Sequence, residues 1–362
     1  MRESKVRIGL IGTGFIGDIH ADSMKKNQLC ELVAVCEEVD KKRGKAFADK
    51  YQIPKVYNDF EKMIADPDID LVYICIPNYL HAKYMVKAAE MKKHCFVEKP
   101  LCTTLAEADQ MIESAKKNKV KLFYGENLCF APKYVRLKEL IDEGALGKPF
   151  YIRHRESHGG PHAKWFWDIR LSGGGAMMDM GCHGIEFARW LLGKPKIKRV
   201  LASLGTYLHK KITKGEDDSV LLVEFEGGAR AVIENSWALR GGLDDRAEVQ
   251  GTEGVAFCDL VYGTALRVFT ATGLGYAVEK AETTKGWNFV IYREHEMYGY
   301  PEELANIIES LLNNKPPKET PEDGKVVLEA MMAGYLSAKL GKWVELPANL
   351  PRNRKPYQLW KE

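Results

Sequence analysis

The chain has 362 residues, more than one small core holds, so about two domains are expected. With 45% hydrophobic and 28% charged residues it has the composition of a globular protein, which excludes extensive disorder. The net charge of +3 is the small difference between 53 basic and 50 acidic residues. No basic stripe marks a nucleic-acid or acidic-membrane surface, and clusters such as Lys41, Lys42 and Arg43 read as solvated helix faces.

The first ten residues pass from charge straight into an apolar strand, without the pattern of a cleavable signal. The longest apolar runs fall well short of the ~20 residues of a membrane helix. Eight cysteines are scattered without a CxxC pair, several of them inside apolar strand patterns where a free thiol acts as a small hydrophobe. Neither structural zinc nor a disulfide framework is expected, and the compartment is read as the cytoplasm.

In chain order, strand Val6–Ile11 leads through a glycine-rich turn into a helix from about Gly17 to Lys26. Strand Glu31–Cys36, helix Asp40–Tyr51, strand Val56–Tyr57, a short helix at Met63–Ile64 and the apolar strand Leu71–Ile76 follow. Helix Ala82–Met91, strand His94–Glu98, helix Leu105–Lys117 and strand Lys121–Tyr124 complete the series. Apolar strands alternating with amphipathic helices predict βαβ units and a doubly wound parallel sheet of the Rossmann type. The boundary of this α/β domain is placed near Gly125, giving domains 1–125 and 126–362.

The second part begins with a helix near Tyr134–Glu143 and strand-like alternation in "KPFYIRHRES". A glycine-laden segment precedes the helix Ala176–Leu192. Val220–Phe225 and Ala229–Trp237 flank "EGG" as a hairpin, and Arg246–Gln250, Gly254–Leu260 and Leu266–Thr270 continue the strands. Helices return at Pro301–Leu312 and Lys325–Ala338. Segregated strands predict an α+β domain with a large, open, mostly antiparallel sheet and helices on one face. The proline- and charge-rich tail from about Leu346 is expected to lie extended on the surface.

Gly12, Gly14 and Gly17 stand in G-x-G-x-x-G spacing, with Phe15 and Ile16 between the last two. Between a strand and a helix, such glycines allow the turn, let the backbone approach a pyrophosphate and seat the helix on the strand. Any strand–helix turn can need glycines. Here Glu37 closes the next strand about twenty residues after Gly17, where an acidic side chain bonds ribose hydroxyls and repels a 2′-phosphate. The expected cofactor is NAD rather than NADP. Glu38 is able to share the role, and Arg43 is read as solvated.

Lys99 ends a predicted strand between Glu98 and Pro100. Ligands bind at the carboxyl ends of such strands, and an ammonium there can hold a hydroxyl and stabilise alkoxide charge. A surface lysine before a turn accounts for the same residues. Asp179 and His183, four apart, share one face of a helix; the histidine can take a hydroxyl proton while hydride leaves the same carbon. A capping aspartate with a core histidine is the plainer alternative, and no third ligand at convincing spacing suggests a metal.

Taken together, "GTGFIG", "IPNYLH", "VEKP", "GGGAMMDMGCH" and the closing "PPKETPEDGKVVLEAMMAGYLSAKLGKWVELP" resemble the Gfo/Idh/MocA oxidoreductases over most of the chain. The resemblance implies a Rossmann domain, then a domain whose open sheet commonly forms oligomer interfaces, here a homodimer or homotetramer. It implies that Lys99, Asp179 and His183 form the catalytic group. It also implies that Pro77, Asn78 and His81 border the cofactor and that Glu98 lies beside its nicotinamide end. The chain departs from many relatives at "FYGENLCFAPKY", which holds Asn127, a substrate-side candidate. The loop "SHGGPHAKWFWDIRLSGGG" also looks particular to a subgroup. Its His158, His162, Lys164, Trp165, Trp167 and Asp168 are candidates for reading a sugar, although both tryptophans can equally anchor the loop. Tyr298 and Tyr300 are further candidates.

The expected reaction is NAD-dependent hydride transfer at a secondary hydroxyl of a sugar, inositol or glycoside, including oxidation at C3. Other readings are a transient oxidation with tightly held, self-regenerating NAD, reduction of an imine or diene, and a silent NAD-binding scaffold or sensor.

Overall fold

The computed structural model describes residues 5–361 except 263–265, 274–277, 279, 280, 282 and 292. It falls into two compact units, residues 1–127 with 299–325, and residues 128–298 with 326–362.

In the first unit, strands β1 (Val6–Ile11), β2 (Cys30–Cys36), β3 (Lys55–Tyr57), β4 (Leu71–Ile74), β5 (His94–Glu98) and β6 (Leu122–Gly125) form one parallel sheet. Its order is β3-β2-β1-β4-β5-β6, the doubly wound order that opens a crevice where the winding reverses, between β1 and β4. The linking helices are α1 (Phe15–Lys26), α2 (Lys41–Tyr51), α3 (Phe60–Ile64), α4 (His81–Glu90) and α5 (Leu105–Asn118). Three of them start at side-chain caps that satisfy otherwise orphaned N–H groups: Asp40 for α2, Asp59 for α3 and Thr104 for α5.

The second unit begins with helix α6 (Pro132–Asp142), and β7 (Pro149–Ser157) follows. Helices α7 (Ile169–Ser172) and α8 (Cys182–Leu191) precede β8 (Ile197–Gly205), β9 (Asp218–Phe225), β10 (Arg230–Ser236), β11 (Asp244–Gly251) and β12 (Val255–Asp259). Strand β15 (Val344–Glu345) completes a seven-stranded sheet ordered β12-β11-β7-β10-β9-β8-β15, antiparallel at every step except β7–β10. Burial alternates along β10, with Ala231, Ile233 and Asn235 inward, so one face packs against α8 and the other stays partly open. The hairpin turn at "EGG" has both Gly227 and Gly228 at φ 89°, as a tight turn between twisted strands requires. A separate ribbon, β13 (Leu266–Thr270) with β14 (Gly286–Val290), and helix α9 (Glu294–Met297) close this segment.

Both expected sheets are present, with three differences from the sequence reading. Helix α10 (Tyr300–Leu312) belongs to the first unit, although the boundary near Gly125 assigned everything downstream to the second. The reason is packing: Leu304, Ile307 and Ile308 fill the same apolar cluster as Ile8, Leu10 and Phe96. Strands β8, β14 and β15 have no counterpart among the expected elements. The tail is also not simply extended. After α11 (Pro321–Leu340), Leu350 and Leu359 are buried, α12 (Gln358–Lys361) forms, and the Tyr357 N–H donates to the Gly173 carbonyl.

Among the described residues no helix is long and apolar enough to cross a membrane. Every cysteine is a free thiol, and all but Cys258 are buried. Burial pushes Cys30 and Cys258 up to about 11 and Cys36 up to about 12, as expected of packing thiols rather than nucleophiles.

Candidate active site

At the end of β1 the chain turns through Gly12 at φ 100°, a value that favours glycine. A Cβ on Gly12 would lie 2.0 Å from the Cys75 carbonyl oxygen, and one on Gly17 2.1 Å from that of Gly12. These two glycines are demanded by the protein itself. Gly14 is different: nothing lies within 4 Å of the position its Cβ would take. Bare backbone there opens on the first turn of α1, where the N–H groups of Phe15 and Ile16 precede the helix's own hydrogen bonds. Such a loop fits a pyrophosphate.

Glu37 follows β2 and is buried. Its Oε2 accepts from Thr13 Oγ1 at 2.5 Å and Arg43 Nη2 at 2.7 Å; Oε1 accepts from the backbone N–H groups of Val39 and Asp40. Burial alone would raise its pKa, but these donors outweigh it and hold the carboxyl at about 2. Arg43, expected in solvent, thus reaches back from α2 to the acidic residue, because its long side chain spans the gap its helix position leaves. Glu38 accepts from the Phe60 N–H and the Tyr84 hydroxyl.

Glu98 ends β5 and Lys99 follows it. Glu98 Oε1 lies 2.6 Å from His20 Nε2, and its Oε2 accepts the Lys99 N–H at 3.1 Å. Burial raises the Glu98 pKa, and His20 and Lys99 overcome that to leave it lowered. The His20 ring is edge-on to Tyr73, Phe96 and Tyr300, which fixes it from three sides and places Tyr300 in this unit. Sequence reasoning missed His20, although it stands only three residues after Gly17 on α1.

Pro77 caps the short turn that holds Asn78, and both Asn78 and Asn127 are buried. His81 starts α4 and is buried. Its Nδ1 faces the Pro100 carbonyl at 3.0 Å and its Nε2 the Ile76 carbonyl at 2.8 Å. The ring lies between the segments that follow β4 and β5, and in its neutral form it donates to one of these carbonyls. Burial lowers its pKa against those carbonyls.

In the second unit the expected single helix over Ala176–Leu192 is two pieces, a π-helical turn at Met177–Gly181 and then α8. Asp179 lies in the π turn and His183 in the first turn of α8, both buried. Such turns recur at functional sites. The glycine run before it is filled by protein: a Cβ on Gly174 would lie 2.0 Å from the Tyr335 hydroxyl, and one on Gly175 1.8 Å from the Glu216 carbonyl oxygen. The fully buried Glu216 Oε1 accepts from Gly175 N–H, Met177 N–H and Tyr335 Oη. Burial raises its pKa to about 7. Glu216, Tyr335 and Trp237 escaped the sequence reading, since nothing local ties them to "GGGAMMDMGCH".

The indole Nε1 of Trp237 donates to Asp179 Oδ2 at 3.0 Å. Trp167 packs edge-on against Trp237 with ring centroids 5.1 Å apart, and Trp165 stacks on Phe166 at 3.8 Å. Trp167 therefore anchors the loop, while Trp165 packs on its chain neighbour. His158 is fully buried with Nδ1 accepting from the Gly160 N–H, so it is no exposed reader of hydroxyls. Asp168 caps α7 and pairs with Arg170. His162 and Lys164 alone of the loop candidates are exposed.

Residues 6–126 match the family model described as "Oxidoreductase family, NAD-binding Rossmann fold", and residues 134–257 match "GFO/IDH/MocA C-terminal domain". The chain belongs to the Gfo/Idh/MocA family. It is an NAD-dependent dehydrogenase, with the glycine loop and Glu37 as a site suited to that cofactor. The chain is 33% identical to the myo-inositol 2-dehydrogenase of Thermotoga maritima, over 92% of this chain and 96% of that one. It is 28% identical to the D-glucoside 3-dehydrogenase of Escherichia coli, over 96% and 99%. The structure of GenD2 from gentamicin A biosynthesis, in complex with NAD, superposes with a TM-score of 0.89 at 31% identity, covering 95% of this chain and 97% of that one.

Proposed function

We propose that the protein oxidises a secondary hydroxyl of an inositol, sugar or glycoside, with NAD as acceptor, and that Lys99, Asp179 and His183 carry the chemistry. The observation that supports this most is the anchoring of these residues. Lys99 leaves the sheet at a carboxyl strand end fixed by Glu98 and His20, and Asp179 is a buried carboxylate with an indole donor. A capping or surface role needs neither arrangement. Relatives named for inositol and glucoside dehydrogenation favour a ring alcohol.

The chemistry the cofactor supplies when bound is acceptance of hydride from the carbinol carbon. Gly12, Gly14 and Gly17 with the start of α1 would hold its pyrophosphate, Glu37 its ribose, and Pro77, Asn78 and Glu98 would border the rest. His183 takes the hydroxyl proton on its ring nitrogen, Lys99 donates a hydrogen bond to the developing alkoxide, and Asp179 balances the imidazolium. The alcohol C–H and O–H bonds break and a ketone forms. His162 and Lys164 on the exposed part of the loop and Asn127 are the residues left to read the remaining hydroxyls.

The reading also includes the cytoplasm, supported by the free thiols, and a homo-oligomer, supported by exposed Val220, Val255 and Phe257 on the second unit's sheet. The test is a panel of inositols, aldoses and methyl glucosides with NAD and, separately, NADP, followed by absorbance of the reduced cofactor. NAD-selective, stoichiometric NADH release with one group of ring alcohols is expected. Product without net NADH would replace this reading by transient oxidation, and no turnover of any ring alcohol would overturn it.

A further inference from the structure

Strands β7 and β10 are parallel neighbours, paired in register from Tyr151–Arg230 to Ser157–Ser236. The next residue on each is His158 and Trp237, both fully buried, and the His158 N–H continues the ladder to the Ser236 carbonyl at 2.8 Å. The sheet thus delivers two N–H-bearing rings side by side at its carboxyl ends, and both face Asp179.

The indole Nε1 donates to Asp179 Oδ2 at 3.0 Å. The His158 ring is oriented by its other nitrogen: Nδ1 accepts the Gly160 N–H at 3.0 Å and so carries no proton. In the neutral ring the proton then sits on Nε2, which lies 3.7 Å from the same Oδ2. Trp237 is itself pinned edge-on by Trp167 and Phe166. A buried carboxylate is costly unless N–H groups meet it, and N–H groups that meet one of its oxygens also select its rotamer.

We propose that Trp237 and His158 are positioning residues of the dehydrogenase, two N–H groups aimed at one oxygen that fix the orientation of Asp179 and hold its charge toward His183. The proposal rests on the catalytic role given above to Asp179 and His183. It also connects the loop to the chemistry, because Trp167 supports Trp237 and acts through it.

The test compares W237F, which keeps the ring and loses the donor, with H158N, whose shorter amide still reaches Gly160 but not Asp179, and with D179N and the double variant W237F/D179N. Lys99→Ala and His183→Ala serve as references. Turnover is measured with NAD and myo-inositol or methyl glucoside, whichever the wild type oxidises faster, and folding by thermal melting. W237F is expected to lower kcat about 10-fold and H158N about 3-fold, with KM for NAD within about 2-fold, because the lost bond involves a charged acceptor and not cofactor binding. In the D179N background W237F costs nothing further, since its effect passes through Asp179.

A merely structural Trp237 would lower the melting temperature, leave kcat per folded enzyme unchanged and act equally in both backgrounds; that result overturns the proposal. Should W237F fail to fold, 15N-tryptophan spectra of wild type and D179N decide instead. The Trp237 indole N–H signal must move on D179N, and an unmoved signal refutes the contact. Wild-type rates in the Lys99 and His183 variants would remove the dehydrogenase reading and this inference with it. Loss in those variants beside an unaffected W237F would remove this inference alone.

Discussion

The two glycine runs of this chain look alike in sequence and are used in opposite ways. At Gly12–Gly17 the central glycine faces empty space, so its missing side chain leaves room for a ligand. At Gly174 and Gly175 the space is already taken by the Tyr335 hydroxyl and the Glu216 backbone, so the missing side chains leave room for the protein. One run presents backbone to something that arrives later; the other locks the start of the Asp179 turn into a buried hydrogen-bond network. A glycine motif therefore indicates close approach without saying of what.

The sharpest way to break this contrast is a methyl group in each run. Gly175→Ala puts a Cβ against backbone that cannot retreat and is expected to cost about 3 kcal/mol or more, read as a large fall in melting temperature. Gly14→Ala has φ −78° and free space, so its melting temperature stays with the wild type. Its KM for NAD is expected to rise about 10-fold as the new methyl meets the pyrophosphate. Equal loss of stability in both variants would erase the distinction.

Glu216 sharpens the second half. Its folded pKa of about 7 stands above the ordinary 4.5, because burial opposes ionisation by more than the three donors on Oε1 favour it. A raised carboxyl binds its proton more tightly when folded. Its contribution is whole below pH 4.5 and is lost as the pH climbs to about 7. Glu216→Gln removes that titration, so denaturant melts should show wild type losing up to about 3 kcal/mol relative to the variant between those pH values. Parallel stability curves would show that Glu216 stays ionised.

The smallest effects separate two adjacent carboxylates. Glu37→Ala should raise KM for NAD about 5-fold and increase relative use of NADP, since the repulsive charge is gone and Arg43 is released. Glu38→Gln should leave both constants within about 2-fold, because Glu38 is spent on Phe60 and Tyr84. Kinetics with both cofactors read the pair.

How much was legible in the sequence follows the same division. The first unit's strands, helices and the acidic residue after β2 were readable because each sits within one βαβ step of the next, where spacing carries geometry. Helix α10 was placed in the wrong unit because its amphipathic pattern states that it has an apolar face, not which core fills it. In the second unit Asp179 and His183 stood out by local pattern, but their setting did not. Trp237 lies 58 positions from Asp179, and Tyr335 lies 160 from Gly175. Such partners are joined only by tertiary packing, which no window of sequence displays. His81 shows the same limit: its motif was visible, and the backbone carbonyls its ring faces were not.

The measurement that bears most directly on the account is single-turnover NADH formation by wild type, Lys99→Ala and His183→Ala, each with saturating NAD and the preferred ring alcohol. We expect the two variants to melt like the wild type, bind NAD normally and form NADH about 10²–10⁴-fold more slowly. Wild-type rates in both folded variants would contradict the assignment of the chemistry to these residues.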